Sequence, residues 1–190
     1  MSNRNQRERR TFHPFEARDT GDGKVIEGYA VVFDSPTVLY EVGDTEYKEQ
    51  IQRGAFDQAD MRDVILNFDH AGKVLARTRN DTLQLRVDER GLFVRARLDG
   101  TEEGRSLYEE VAGGYLDKMS FAFTVADETY DPKVRLRSIR KIKRLYDVSV
   151  VSMPAYHDTE VSARGFFSAV ADQENALERA RKRLMLLTQL

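Results

Sequence analysis

The stretch Met119–Val125, MSFAFTV, alternates strictly between large apolar residues and small ones. The small residues are Ser120, Ala122 and Thr124. Side chains of a β-strand point alternately to opposite faces, so the pattern predicts a strand with one face in an apolar core. Ser120 on the other face has two interpretations. It is one of a set of small packing residues, or it is a nucleophile beside a pocket.

The chain around this strand also has the patterns of β-structure. TLQLRVD (Thr82–Asp88) alternates cleanly, Glu89-Arg90-Gly91 provides a turn, and Leu92–Asp99 returns, which together predict a hairpin. Further strands are predicted at Lys24–Asp34, Tyr47–Ile51, Val64–His70, Val134–Ile142 and Leu145–Met153. Many short strands separated by turns predict a mainly β, α+β protein with flanking helices. We expect a closed or partly open antiparallel barrel of about seven strands.

Two segments change to helical periodicity. In Asp99–Gly114 the apolar residues lie four positions apart, and a glycine pair ends the segment. Ser168–Leu190 carries an apolar stripe of Leu177, Ala180, Leu184 and Leu187. The expected organisation is a disordered basic arm at 1–10, one β-barrel domain at 11–165 and a helical tail at 166–190.

Composition excludes several classes of protein. The chain has 190 residues, 41% hydrophobic and 33% charged, with a net charge of −2 and no cysteine. The absence of cysteine excludes disulfides, cysteine-ligated zinc and a thiol nucleophile. Near-neutral charge argues against binding driven by phosphate attraction, although the arm's four arginines leave that alternative open. No apolar run is long enough to span a membrane and the arm has no secretory pattern, so we expect a cytosolic protein.

Three residues on separate predicted strands could carry chemistry. His70 ends an apolar strand before Ala71-Gly72, where it either faces a cleft or bonds the backbone. Asp147 interrupts the apolar run LYDVSVV, so its carboxylate needs a partner, either an arginine or a histidine ring that it orients. With Ser120, these residues offer the three roles of nucleophilic acyl transfer.

Other chemistry has less support in the sequence. Asp69, His70 and His157 could act together in a metal-dependent hydrolase, but their spacing is not typical of a zinc site. His13 precedes a proline near the start, and we expect it to be structural or exposed. No glycine-rich loop precedes a helix, so a phosphate-binding loop is not indicated. We expect no cofactor and no metal.

Several phrases, in this order and spacing, resemble the head-maturation (prohead) protease family of HK97-like tailed bacteriophages. The resemblance runs from about Phe12 to about Arg164. Its phrases are GYAVVFDSPT (Gly28–Thr37), EQIQRGAF (Glu49–Phe56), VILNFDHAGKVLART (Val64–Thr78), TLQLRVDERGLFVRARLDGTEEG (Thr82–Gly104), KMSFAFTV (Lys118–Val125) and LYDVSVVSMPAYHDTEVSAR (Leu145–Arg164).

This resemblance implies a serine endopeptidase whose barrel is related to the herpesvirus assemblin proteases. It implies Ser120 as nucleophile, His70 as general base and Asp147 as the third member, a position where the family commonly has glutamate. The herpesvirus relatives use a second histidine there, which makes His157 a rival. The oxyanion hole would consist of backbone N–H groups or an arginine, with Arg137 and Arg140 as candidates.

The resemblance also implies a place and partners. Such a protease acts inside the procapsid, in the bacterial cytoplasm, on the scaffolding protein or the capsid protein's scaffolding domain and then on itself. A homodimer or higher oligomer is expected, with no membrane and no specific nucleic acid as partner. The helix Ser168–Leu190 would be an assembly tag that binds scaffold. The alternative is an assembly protein with the same barrel and no catalysis.

Overall fold

The fold is known from a computed structural model. The structure describes residues 7–12, 15–19 and 23–152, and beyond them only residues 167, 176, 179–183 and 185. These residues form eleven strands: β1 (Glu8–Phe12), β2 (Phe15–Asp19), β3 (Lys24–Val32), β4 (Thr37–Val42), β5 (Thr45–Ile51), β6 (Ile65–Phe68), β7 (Ala71–Arg77), β8 (Leu83–Val87), β9 (Gly91–Arg97), β10 (Lys118–Asp131) and β11 (Leu136–Val151). Helix α1 is Glu102–Ala112, and a 3-10 turn is Thr78–Asn80.

The larger sheet has seven strands and is built around β10 and β11. Its main path is β1-β10-β11-β5-β4, and β6 and β7 extend it beside the second half of β11. The first part of β11 pairs in parallel with β5, and Asp147–Val150 pairs in parallel with β6. β11 has 16 residues, so one strand is long enough to hold both partners along the same edge.

The smaller sheet has four antiparallel strands in the order β2-β3-β9-β8. It contains the predicted hairpin, which is confirmed as β8 and β9. Gly91 opens β9 where the backbone of β3 passes closely, and a Cβ atom there would lie 1.8 Å from the carbonyl oxygen of Val31. The apolar core draws on both sheets and on α1, which contributes Leu107 and Val111.

Helix α1 lies within the predicted segment and ends just before the glycine pair, at Ala112. The Thr101 hydroxyl accepts a hydrogen bond from the Gly104 N–H at 3.0 Å, which satisfies one of the free amides of the first turn. The predicted segment Asp99–Gly114 is therefore helical over its central part. No helix within the described ranges is long and apolar enough to cross a membrane.

Three expectations need correction. The fold is mainly β with few helices, but the described strands number eleven, form two sheets that do not close into a barrel, and include two parallel pairings. The predicted strands Val134–Ile142 and Leu145–Met153 are one strand, β11, because bulges let the chain change phase without stopping. The predicted arm 1–10 is wrong in its last residues, since β1 begins at Glu8.

The ends of the chain are described only in part. Residues 1–6 lie outside the described residues. Of the predicted tail, the described residues 167, 176, 179–183 and 185 are helical, and Ala180 is the one member of the apolar stripe among them. Phe167 is buried against the rings of Tyr40, Tyr47 and Tyr130. The start of the predicted tail thus packs on the body of the protein.

Candidate functional site

The site lies on one face of the larger sheet, where three strands bring polar residues side by side. Ser120 of β10 is opposite Ser149 of β11, and Ser149 is in turn opposite Asn67 of β6. Residues paired across neighbouring strands project to the same face. The result is a polar row on one face of the sheet, with Phe121 and Val148 as an apolar pair on the opposite face.

His70 reaches this row from a tight turn. β6 and β7 are joined by the two residues Asp69 and His70, with φ values of 49° and 56°. Two-residue hairpin loops favour positive φ at both positions, and Asp and His tolerate it better than most residues. The turn is fixed to β11, because the Asp69 N–H donates to the Val150 carbonyl and the Asp69 carboxylate accepts two bonds from Ser152.

A β-bulge aims Asp147 at the site. Ala122 pairs with Asp147 whereas the next residue, Phe123, pairs with Leu145, which leaves Tyr146 as an extra residue in β11. Without it, Leu145 and Asp147 would point to the same face. The bulge shifts the alternation, so that Leu145 stays in the core while Asp147 lies beside His70.

The three predicted residues form one hydrogen-bonded chain. The Nε2 atom of His70 lies 2.7 Å from the Oγ atom of Ser120. Its Nδ1 atom lies 2.5 Å from the Oδ1 atom of Asp147. A carboxylate can only accept, so the neutral ring carries its proton on Nδ1 and donates it to Asp147. Nε2 then has a free lone pair directed at the Ser120 hydroxyl, the arrangement that a general base requires.

Asp147 is held by groups on both of its oxygens. Ser149 Oγ lies 3.0 Å from Oδ1 and also 2.5 Å from Asn67 Oδ1. The serine has a single hydroxyl proton, so it donates to one of these oxygens at a time. The second oxygen, Oδ2, accepts from the Arg7 guanidinium at 2.5 Å. These contacts fix the direction in which the carboxylate presents Oδ1 to the ring.

The site is almost closed to solvent. Ser120 has no exposed surface, Asp147 is 3% exposed, and the His70 side chain is 4% exposed. A charge buried this deeply is costly unless it is paired and hydrogen-bonded, and Asp147 meets that condition. A serine hydroxyl, a correctly oriented imidazole and a paired carboxylate can together perform acyl transfer through a covalent intermediate.

The other predicted residues do not join this group. His13 and His157 lie outside the described residues, and Asp69 is occupied by Ser152. The parts of the chain that the structure describes hold no cluster of three or more metal-ligating side chains. The oxyanion candidates lie toward the other end of β11, where Arg137 is buried among three glutamates and Arg140 pairs with Asp127.

Sequence reasoning missed three residues of the site. Ser149 carries a usable signal, because it lies two positions after Asp147 in a strand and therefore on the same face. Asn67 lies three positions before His70 in the same phrase, and only the parallel pairing of β6 with β11 places it. Arg7 falls in the segment expected to be a disordered arm and carries no local signal.

Comparisons with known proteins identify the family and a similar fold. The sequence model of the caudovirus prohead serine protease family matches residues 13–173. The chain is 32% identical to the prohead protease of Enterobacteria phage HK97 over 159 residues, which is 80% of this chain and 66% of that protein. The chain therefore spans just under two thirds of that relative. The fold is similar to the bacteriophage T4 capsid assembly protease gp21, with a TM-score of 0.53 and 15% identity over 78% of this chain and 98% of that one.

Proposed function

Because the chain belongs to the caudovirus prohead serine protease family, we propose that it is a serine endopeptidase that acts during capsid maturation. Ser120 is the nucleophile, His70 the general base and Asp147 the residue that orients His70. One observation carries the proposal. A continuous hydrogen-bonded chain runs from Ser120 Oγ through both ring nitrogens of His70 to a buried carboxylate.

The reaction follows from the proton positions. Nε2 of His70 accepts the Ser120 proton while Oγ attacks the carbonyl carbon of a peptide bond. The resulting imidazolium is stabilised by Asp147, and its Nε2–H protonates the leaving amine as the C–N bond breaks. Water then attacks the acyl-enzyme, with His70 again taking the proton, and Ser120 is released.

The negative charge of the tetrahedral intermediate needs donors. Arg137 is an unsuitable donor, because its guanidinium is engaged by Glu8, Glu49 and Glu128 in the buried cluster. Arg140 is also engaged, by Asp127. Backbone N–H groups near Ser120 are therefore the better candidates from the sequence analysis. Ser120 has no exposed surface, so a substrate carbonyl reaches Oγ only after the groups around it move.

The substrates follow from the family and stay part of the proposal. They are the scaffolding protein or the scaffolding domain of the major capsid protein, and then the protease itself, inside the procapsid in the bacterial cytoplasm. Association with a second copy of the chain and kinship with the assemblin proteases also remain predictions. So does the role of the C-terminal helix as a scaffold-binding tag.

The test is coexpression of the chain with the matching capsid and scaffolding proteins, followed by intact-mass measurement of every component. Wild type should shorten the scaffold and itself at defined bonds, and Ser120→Ala should leave all masses unchanged. Ser35→Ala, which alters an exposed serine in the loop between β3 and β4, should behave as wild type. Unchanged masses with wild type, or equal cleavage with Ser120→Ala, would refute the proposal. The first result would favour a non-catalytic assembly protein.

A further inference from the structure

Arg7 makes a contact with the site that its position in the sequence does not suggest. Its Nη2 atom lies 2.5 Å from Oδ2 of Asp147, the carboxylate oxygen that does not face His70. Its guanidinium also lies over the ring of Tyr146, with Cζ 4.3 Å from the centroid. Tyr146 is the extra residue of the bulge that aims Asp147. One feature of β11 thus directs the carboxylate and provides an aromatic surface for the arginine that holds it.

The strand that follows Arg7 is firmly attached to the protein. β1 forms an antiparallel pair with β10, and Thr11 lies opposite Ser120. Because residues alternate along a strand, Arg9 and Thr11 share the face of the site while Glu8 and Arg10 point to the opposite face. The attachment and the catalytic contact therefore use opposite faces of the same short segment.

The opposite face of β1 enters a buried cluster of charges. Arg10 donates two hydrogen bonds to the Glu49 carboxylate, at 2.6 and 2.8 Å, and a third to Glu8 at 2.6 Å. Arg137 donates to both of these glutamates and to Glu128. Arg10 and Arg137 are each 1% exposed. Buried arginines with bidentate carboxylate partners fix geometry, because removing one partner leaves an unpaired charge in the interior.

We propose that Arg7 is a positioning residue of the active site and that docking of β1 on β10 completes the catalytic machinery. Arg7 does not touch the reacting atoms. By binding Oδ2 it fixes the rotation of the Asp147 carboxylate, so that Oδ1 faces the Nδ1–H of His70. A residue of the segment predicted to be a disordered basic arm is then required for efficient catalysis. This inference rests on the proposed function.

The experiment uses the full chain and a fluorophosphonate reagent that phosphorylates activated serines. The bond between Ser120 Oγ and phosphorus forms as fluoride leaves and His70 takes the serine proton. The maximal inactivation rate therefore measures how well His70 acts as a base. The half-saturating concentration measures how readily the reagent reaches the site. Arg7→Gln should lower the maximal rate about ten- to hundredfold, the range expected when a charged hydrogen bond that fixes a catalytic group is lost. The half-saturating concentration should change less than about twofold, and Arg7→Lys should recover part of the rate.

Two further readouts separate positioning from folding. The downfield proton resonance of His70 Nδ1–H should shift or broaden in Arg7→Gln, because its acceptor is no longer fixed. Arg7→Gln leaves the buried Asp147 carboxylate without its charged partner and should lower the melting temperature. Arg7→Lys keeps a positive charge there and should melt within a few degrees of wild type. Arg18→Gln removes an exposed arginine paired with Glu16 on the other sheet, and it should match wild type in every readout.

The outcomes distinguish this inference from the proposed function. If Arg7→Gln reacts at the wild-type rate with an unchanged resonance while Ser120→Ala does not react, Arg7 has no positioning role and the protease assignment stands. If wild type reacts no faster than Ser120→Ala, the proposed function fails and this inference fails with it. A uniform loss of rate and melting temperature in both Arg7→Gln and Arg7→Lys would indicate a structural role and overturn the proposal.

Discussion

Replacing Asp147 by asparagine tests the proton positions with almost no change in shape. Asparagine has one accepting oxygen and one donating NH₂ group in place of two accepting oxygens. Arg7 faces the outer oxygen and can only donate, so it selects the orientation with the amide oxygen toward itself. The NH₂ group is then directed at Nδ1 of His70, 2.5 Å from the replaced oxygen.

The consequence is a ring in the wrong tautomer. Nδ1 must accept, so the proton moves to Nε2, which lies 2.7 Å from Ser120 Oγ. A protonated Nε2 cannot take the serine proton, and the general base is lost although the geometry is intact. In serine hydrolases that use this arrangement the same change costs about 10⁴-fold in kcat, roughly 5.5 kcal/mol of transition-state stabilisation.

The assay is the rate of cleavage of the scaffold substrate, with melting temperature as the check on folding. Asp147→Asn should lose about 10⁴-fold in rate and melt within a few degrees of wild type. Asp127→Asn makes the same chemical change at a partly exposed carboxylate paired with Arg140, and it should retain full activity. A rate for Asp147→Asn within tenfold of wild type would refute the tautomer argument and leave His157 as the third member to test.

The remaining predictions concern stability and the support of the carboxylate. Burial alone would raise the pKa of Glu8, but hydrogen bonds and charge from Arg137 and Arg10 outweigh it and lower the pKa from 4.5 to about 2. The ionised Glu8 therefore stabilises the fold fully above pH 4.5, and this contribution is lost as the pH falls toward 2. In urea unfolding, the free energy of unfolding should fall by about 3 kcal/mol over this range because of Glu8. Glu8→Gln should lack this part of the pH dependence. Gly91→Ala places a methyl group against the Val31 carbonyl and should cost about 3 kcal/mol or more, lowering the melting temperature by about 10 °C. Gly100 has open space around it, so Gly100→Ala should leave the melting temperature unchanged. Equal melting temperatures for Gly91→Ala and Gly100→Ala would contradict the close approach of the Val31 carbonyl to Gly91. Ser149→Ala removes one hydrogen bond to Asp147 and should slow cleavage about fivefold, and an unchanged rate would mean that Arg7 alone holds the carboxylate.

Much of the site could be predicted from local patterns. Ser120 stands out because strict alternation assigns it to a face, and His70 because it follows an apolar strand and precedes a turn. The β8–β9 hairpin was predictable for the same reason, since its alternation and turn are both encoded within a few residues. These features depend on neighbours in the sequence.

The features that were mispredicted depend on distant parts of the chain. A bulge at Lys143 lets one strand change phase between the two predicted segments, so β11 has the sequence pattern of two strands. The parallel pairings of β11 with β5 and β6 join segments far apart in the chain, and no periodicity encodes which strands become neighbours. Arg10 is a charged residue in a polar stretch of sequence, which indicates exposure. It is buried because Glu49, on the distant strand β5, pairs with its charge.

The central claim is that Ser120 is a nucleophile activated by His70, and the most direct measurement maps where a fluorophosphonate reagent attaches. Purified wild type is treated with the reagent, digested and sequenced by mass spectrometry, beside His70→Ala and a sample held in chelator. One adduct is expected on Ser120, absent in His70→Ala and unaffected by the chelator. An adduct on another serine, or equal labelling of Ser120 without His70, would contradict it.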